Sequence, residues 1–140
     1  MQDFSQKISI VVRKDIENWR LLNTVSHISA YFGKTLHNTF DTGDFFETKD
    51  NKKHPRNSQY PIVILVGNEI EIRKLLENTK KETGLFIMPF TKAMTETNDD
   101  DELAKLYSST DEENLELLGI GLFGDSILLK SLTKKLSLYK

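Results

Sequence analysis

Apolar positions along the chain fall into short β-branched runs and longer helical repeats, in alternation. Ile8, Ile10, Val11 and Val12 lie in a stretch too short for a helix, which predicts a buried first strand over residues 7–13. Leu21, Val25, Ile28 and Phe32 then recur at intervals of four, three and four, the spacing of one helix face. Asp15 offers an N-cap acceptor and Gly33 a C-cap, so a helix is expected between them. Residues 61–66 read as a second buried strand. Gly67 and Asn68 lead into a helix carrying Ile70, Leu75 and Leu76, which Gly84 is expected to end.

Residues 85–90 form a third apolar run, and Pro89, which has no N–H to give a neighbour, places it at a sheet edge or at the strand's exit. The last strand is expected over residues 115–122, and Asp125 opens a final helix with Ile127, Leu128 and Leu132. Between residues 34 and 60 the periodicity weakens. There Phe45-Phe46-Glu47-Thr48 running into Lys49-Asp50-Asn51-Lys52 predicts an inserted, hairpin-like excursion near residues 41–58. Strands separated by helices predict an α/β sheet covered on both faces. No repeat or linker divides the chain, so one domain over residues 1–140 is expected.

Composition narrows the functional classes. With 140 residues, 38% hydrophobic and 29% charged, the chain can build one real core. It has no cysteine, which excludes disulfides, thiolate nucleophiles and cysteine-ligated metals. Its first residues lack the basic flank and long apolar stretch of a signal peptide, so a cytoplasmic protein that does not span a membrane is expected. A net charge of -2 argues against a nucleic-acid partner, which would need a basic face. The densest basic cluster is Lys49, Lys52, Lys53, His54 and Arg56, readable as a solvated turn or as an anion contact.

Candidate chemistry is sparse. Asp99-Asp100-Asp101-Glu102 sit where a helix N-terminus favours negative charge, and four consecutive acids cannot all face one cation. Gly119, Gly121 and Gly124 fit G-x-G-x-x-G, but too few residues follow for the second strand and the ribose-binding acid of a dinucleotide fold. Those glycines are instead expected to let a helix sit close on the strand. His27, His37 and His54 show no metal-ligand spacing, so neither a metal nor a cofactor is expected. Trp19, Asn23 and His27 share a stripe at i, i+4, i+8 that could line a pocket, or could pack and bind nothing.

The segments KISIVVRKDI, LLNTVSHISAYFGKTL, GDFFETKDNKKHP, PIVILVG, GLFIMPFTKAMTET and LGIGLFGDSILLKSLTKKLSLYK resemble the domain-of-unknown-function 2000 family over nearly the whole chain. Members of that family are similar to the peptidyl-tRNA hydrolase II superfamily, which implies a three-layer α/β/α fold around a four-stranded mixed sheet. Those hydrolases have a glycine- and lysine-rich start to the first helix, where this chain reads Glu17-Asn18-Trp19-Arg20. They carry a catalytic aspartate directly after the third strand, where this chain has Lys92, and a lysine cannot stand in for a carboxylate acceptor. His27 falls on the histidine of their Q-x-x-H helix pattern, with Thr24 at the glutamine.

The resemblance implies a cleft in which Asp15, Trp19, Arg20, Asn23 and His27 face Thr91 and Lys92, with His54 folding over it. Three functions compete: a non-hydrolase relative binding a small molecule or peptide end in the former active-site cleft, a peptidyl-tRNA or related ester hydrolase, and a homodimeric interaction module without catalysis. No catalytic residue is assigned.

Overall fold

The computed structural model describes residues 2–140. In chain order the elements are β1 (Gln6–Val12), α1 (Asn18–Thr35), β2 (Phe45–Glu47), β3 (Lys53–Pro55), β4 (Ile62–Val66), α2 (Glu69–Thr79), β5 (Phe86–Thr91), α3 (Asp100–Ser108), β6 (Leu117–Asp125), α4 (Ser126–Leu132) and β7 (Ser137–Leu138). β1 is the hub. β4 runs parallel beside it, with Val11 opposite Leu65, and β6 runs antiparallel on its other side, with Ile10 opposite Gly121. β5 adds to β6 and β7 adds to β4, both antiparallel, giving the order β5-β6-β1-β4-β7. The fold is mixed α/β, with a mixed sheet of five strands and four α-helices.

Five strands replace the four expected from the resemblance. The extra strand is β7, only two residues long and exposed, with Leu138 opposite Leu65. Too short to carry an apolar alternation, it leaves no periodic signal. The excursion expected near residues 41–58 is present as the β2–β3 hairpin, turning at Asn51 with φ 65°. β5 lies at a sheet edge, as Pro89 suggested, bonded to β6 alone.

Successive side chains of a strand point to opposite faces, and two buried clusters follow from that alternation. Ile8, Ile10 and Val12 pack with Leu21, Ile28 and Phe32 of α1, together with Phe90 and Phe123. Val11 and Leu65 pack with Ile72, Leu75 and Leu76 of α2, with Ile120 and Leu122, and with Leu129 of α4. Each fully buried side chain of this size contributes about 1.5–3 kcal/mol by leaving water.

The glycines of β6 behave as the sequence suggested. A methyl group at Gly121 would stand 2.3 Å from Ile28 Cγ2 and 2.7 Å from Phe32 Cε2, so α1 rests directly on the strand's backbone.

Helix ends correct three expectations. α1 begins at Asn18 behind Glu17, whose side chain makes no capping bond, and Asp15, two residues before that position, is held by Arg13 instead of capping the helix. α1 also runs through Gly33 to Thr35: the Leu36 N–H donates to Phe32 O at 2.8 Å, and helical packing overrides the glycine. α2 stops at Thr79, so Gly84, expected to end it, instead takes φ +79° in the turn before β5.

α2 opens with a reciprocal cap, Glu71 N–H donating to Asn68 Oδ1 at 2.8 Å and Asn68 N–H to Glu71 Oε1 at 3.0 Å. Asn68→Ala should therefore lower the unfolding free energy by about 1 kcal/mol in urea melts. At α3, Asp99 Oδ1 accepts from Asp101 N at 2.8 Å and Glu102 N at 3.2 Å, so the acidic run begins with a working cap. No helix among the described residues is long and apolar enough to cross a membrane.

Candidate functional site

β1 ends at Val12, and the connection to α1 carries Arg13, Asp15 and Glu17 across the mouth of the sheet. β5 delivers Lys92 on the adjoining side, and the run into β6 delivers Glu116. Together with Arg20 these six side chains surround a cleft of about 300 Å3 floored by Ile16 and Leu118. Three cations thus face three carboxylates. None of the charges is isolated.

Arg13 is the best buried of them, with its side chain 12% exposed. Its Nε donates to Asp15 Oδ1 at 2.9 Å and its Nη2 to Asp15 Oδ2 at 2.8 Å, a two-pronged pair that is strong for its geometry. Nη1 donates to Leu117 O at 3.2 Å and lies 3.5 Å from Glu116 Oε2 and 3.6 Å from Glu69 Oε2. The hydrogen bond from Arg13 holds the Asp15 carboxyl below its ordinary range, and the same bond raises the affinity of Arg13 for its proton. Glu69 extends the network, accepting from Leu117 N at 3.0 Å and from Arg73 at 2.9 Å.

Arg20 is the second fixed cation. Nη1 donates to Thr95 Oγ1 at 2.8 Å and lies 3.6 Å from Glu96 Oε1. Nε stands 3.1 Å from Glu17 Oε2 without the alignment of a hydrogen bond, and the guanidinium carbon lies 4.7 Å from the centre of the Trp19 ring. Lys92 is held more loosely, with Nζ 3.9 Å from Glu96 Oε1.

A second cleft, of about 460 Å3, opens beyond Arg20. α1 lends it Trp19, Asn23 and His27; the turn after β5 lends Met94, Thr95, Thr97 and Asn98; α3 lends Asp100 and Leu103. His27 stacks on Phe90, ring centres 5.4 Å apart and planes 25° from parallel. Thr95 lines this cleft while accepting the bond from Arg20, so the Arg20–Thr95 pair forms a wall shared by the two recesses.

The expected site residues therefore separate into groups. Asp15, Arg20 and Lys92 meet in the charged cleft, and Trp19, Asn23 and His27 meet in the second. Thr91 lines neither: it is 2% exposed, with Oγ1 2.7 Å from Tyr107 Oη. His54 lies on exposed β3 opposite Phe46 and lines neither cleft. Arg13 was missed because it reads only as the polar end of a strand, and it is the bend after β1 that turns Asp15 back onto it. Glu69 and Glu116 arrive from distant parts of the chain, with no local signal. Among the described residues, no group of three or more histidine, aspartate or glutamate side chains is placed to hold a metal ion.

The charged cleft is self-neutralised, so it offers a ligand Lys92 and little else that is uncommitted. The second cleft offers two amides, an imidazole and one carboxylate, with no lysine or arginine in its lining, while its Thr95 and Thr97 hydroxyls are engaged by Arg20 and Glu102 and Arg20 lies over the Trp19 ring. That set can hydrogen-bond a polar head and favours a cationic over an anionic one.

The family model described as Protein of unknown function (DUF2000) matches residues 6–140. None of the curated proteins matches the chain. A solved structure of a protein of unknown function from Agrobacterium tumefaciens strain C58 superposes with a TM-score of 0.85 at 18% identity, covering 99% of this chain and 100% of that one. At that identity the likeness speaks for the fold alone.

Proposed function

We propose that this chain, which belongs to the DUF2000 family, binds a small amine-bearing molecule or the amino end of a peptide in the cleft between α1 and α3. The observation that supports this reading is the Trp19, Asn23 and His27 stripe facing Thr95, Asn98 and Asp100 across one recess, with Asp100 its one carboxylate. Arg20 keeps the recess open by anchoring the turn after β5 through Thr95. The same reading takes the fold as a three-layer α/β/α relative of the peptidyl-tRNA hydrolase II superfamily that has left hydrolysis behind. In favour of that descent are α1 packing with Ile10 while α2 and α4 pack with Val11. In favour of lost chemistry are Lys92 at the place of the catalytic aspartate and a Thr91 hydroxyl already engaged by Tyr107.

A thermal-shift and calorimetry panel of amino acids, di- and tripeptides, their N-acetylated forms and nucleotides tests it. Free-amine peptides should stabilise the protein, by about 2.7 kcal/mol at one hundred times Kd. N-acetylation, Asp100→Asn and Asn23→Ala should each weaken binding roughly tenfold, the scale of one lost charged or well-placed polar contact. Peptidyl-tRNA should not be cleaved above background. A panel that leaves the melting temperature unmoved, or acetylated peptides that bind equally well, would refute the proposal.

A further inference from the structure

A third recess, of about 340 Å3, lies on the Val11 side of the sheet, away from both clefts along α1. Its floor is made of leucines: Leu75 of α2 is 4% exposed, and Leu132 and Leu136 pack against the same buried cluster. Its rim is cationic. Lys74 stands on α2, while Lys134 and Lys135 occupy the turn between α4 and β7. No carboxylate among the described residues comes within 4.0 Å of any of the three ammonium groups. The one acid on the rim, Glu71, has its carboxylate engaged by the Asn68 N–H at the start of α2.

In a chain whose net charge is -2, three unpaired lysines around one apolar floor form a local field opposite in sign to the whole. Elsewhere the buried or half-buried cations Arg13, Arg20 and Arg73 are each matched by an acid. The volume falls at the small end of ligand pockets, which run from about 300 to 1,000 Å3. An apolar floor alone would accept any greasy group, and a lysine rim alone any anion. The two together select a molecule that is both.

We propose that this recess binds a small soluble amphiphile, with a phosphate or carboxylate head among Lys74, Lys134 and Lys135 and a short apolar body on Leu75, Leu132 and Leu136. The site is independent of the cleft beside α1, and its occupancy neither requires nor reports on a ligand there.

Octyl phosphate and octanoate, titrated calorimetrically below their micelle concentrations, serve as probes, with inorganic phosphate and octanol as half-ligand controls. Saturable binding of octyl phosphate at least tenfold tighter than either control is the expected result, weakening as salt rises. The Lys74→Ala, Lys134→Ala, Lys135→Ala triple variant should lose tenfold or more. Its substitutions are on the surface, and an unchanged urea midpoint confirms that it folds. Leu136→Ser should weaken octyl phosphate while leaving the response to phosphate unchanged. Equal binding of octyl phosphate and a control, or undiminished affinity in the triple variant, overturns the proposal. So does lysine-dependent binding to phosphatidylglycerol vesicles without binding of monomeric octyl phosphate, which would make the rim a membrane-facing patch.

Discussion

Replacing Gly121 with alanine should lower the unfolding free energy by about 2–3 kcal/mol, the upper part of the range for overpacking a well-filled core. The added methyl would meet Ile28 and Phe32, both fully buried in the cluster under α1, so no free end can swing aside. Relief requires the helix to move off the strand. Gly119→Ala should cost a similar amount, since its methyl would lie 2.8 Å from the carbonyl oxygen of Val11, which is backbone, and 2.7 Å from Thr24 Cγ2. Gly124→Ala is the internal control. Its methyl would meet the end of the Leu85 side chain at 2.4 Å, and Leu85 is only half-buried, so the cost should stay below about 1 kcal/mol. Urea midpoints at neutral pH measure all three. If Gly121→Ala were no worse than Gly124→Ala, close approach of α1 would not be what the glycine serves.

The second large effect is expected at Arg13. Arg13→Met preserves the stem but leaves Leu117 O and Asp15 without their donor and removes the cation from beside Asp15 and Glu116, while Glu69 keeps only Arg73. Removing one partner of a buried ion pair costs about 3–5 kcal/mol. Asp15 is 66% exposed and screened by water, so the loss here should be smaller, about 2 kcal/mol.

The acid limb gives an independent check. Because Arg13 depresses the folded-state value of Asp15, the folded protein holds fewer protons than the unfolded chain in that window. The resulting stability is present above the ordinary aspartate value, about 3.9, and is lost as pH falls below it towards the depressed value. In Arg13→Met that contribution should vanish, so the variant's stability should fall less steeply than wild type below about pH 4. Parallel acid limbs for the two proteins would show that Asp15 does not gain from Arg13.

Much of the frame could be read from the chain because its signals are local. Four apolar runs gave four of the five sheet strands, the 4-3-4 spacing gave the buried face of α1, and Pro89 gave the edge. The glycine motif of β6 serves packing, since α1 rests on the strand's backbone at Gly119 and Gly121. What failed was decided by contacts between distant residues. Asp15 has the chemistry of a cap, yet Arg13 offers it two aligned donors and wins it. The Trp19, Asn23 and His27 stripe did prove to line a recess, but its opposite wall lay in residues 94–103, whose acids read only as a helix start. Glu69 and Glu116 join Arg13 from about fifty and a hundred positions away, and Thr91 is taken by Tyr107 from a helix whose role no periodicity announces.

The pairing of β1 with β6 joins the first strand of the sheet to the last but one. A ribosome making this chain must therefore deliver residues 119–125 before β1 completes its antiparallel pairing, and until β6 is made β5 has no strand to lie against. Closing so long a loop makes assembly slow relative to helical proteins of this size. During that interval Ile8, Ile10 and Val11 are open to chaperones, or to the matching strand of another nascent copy.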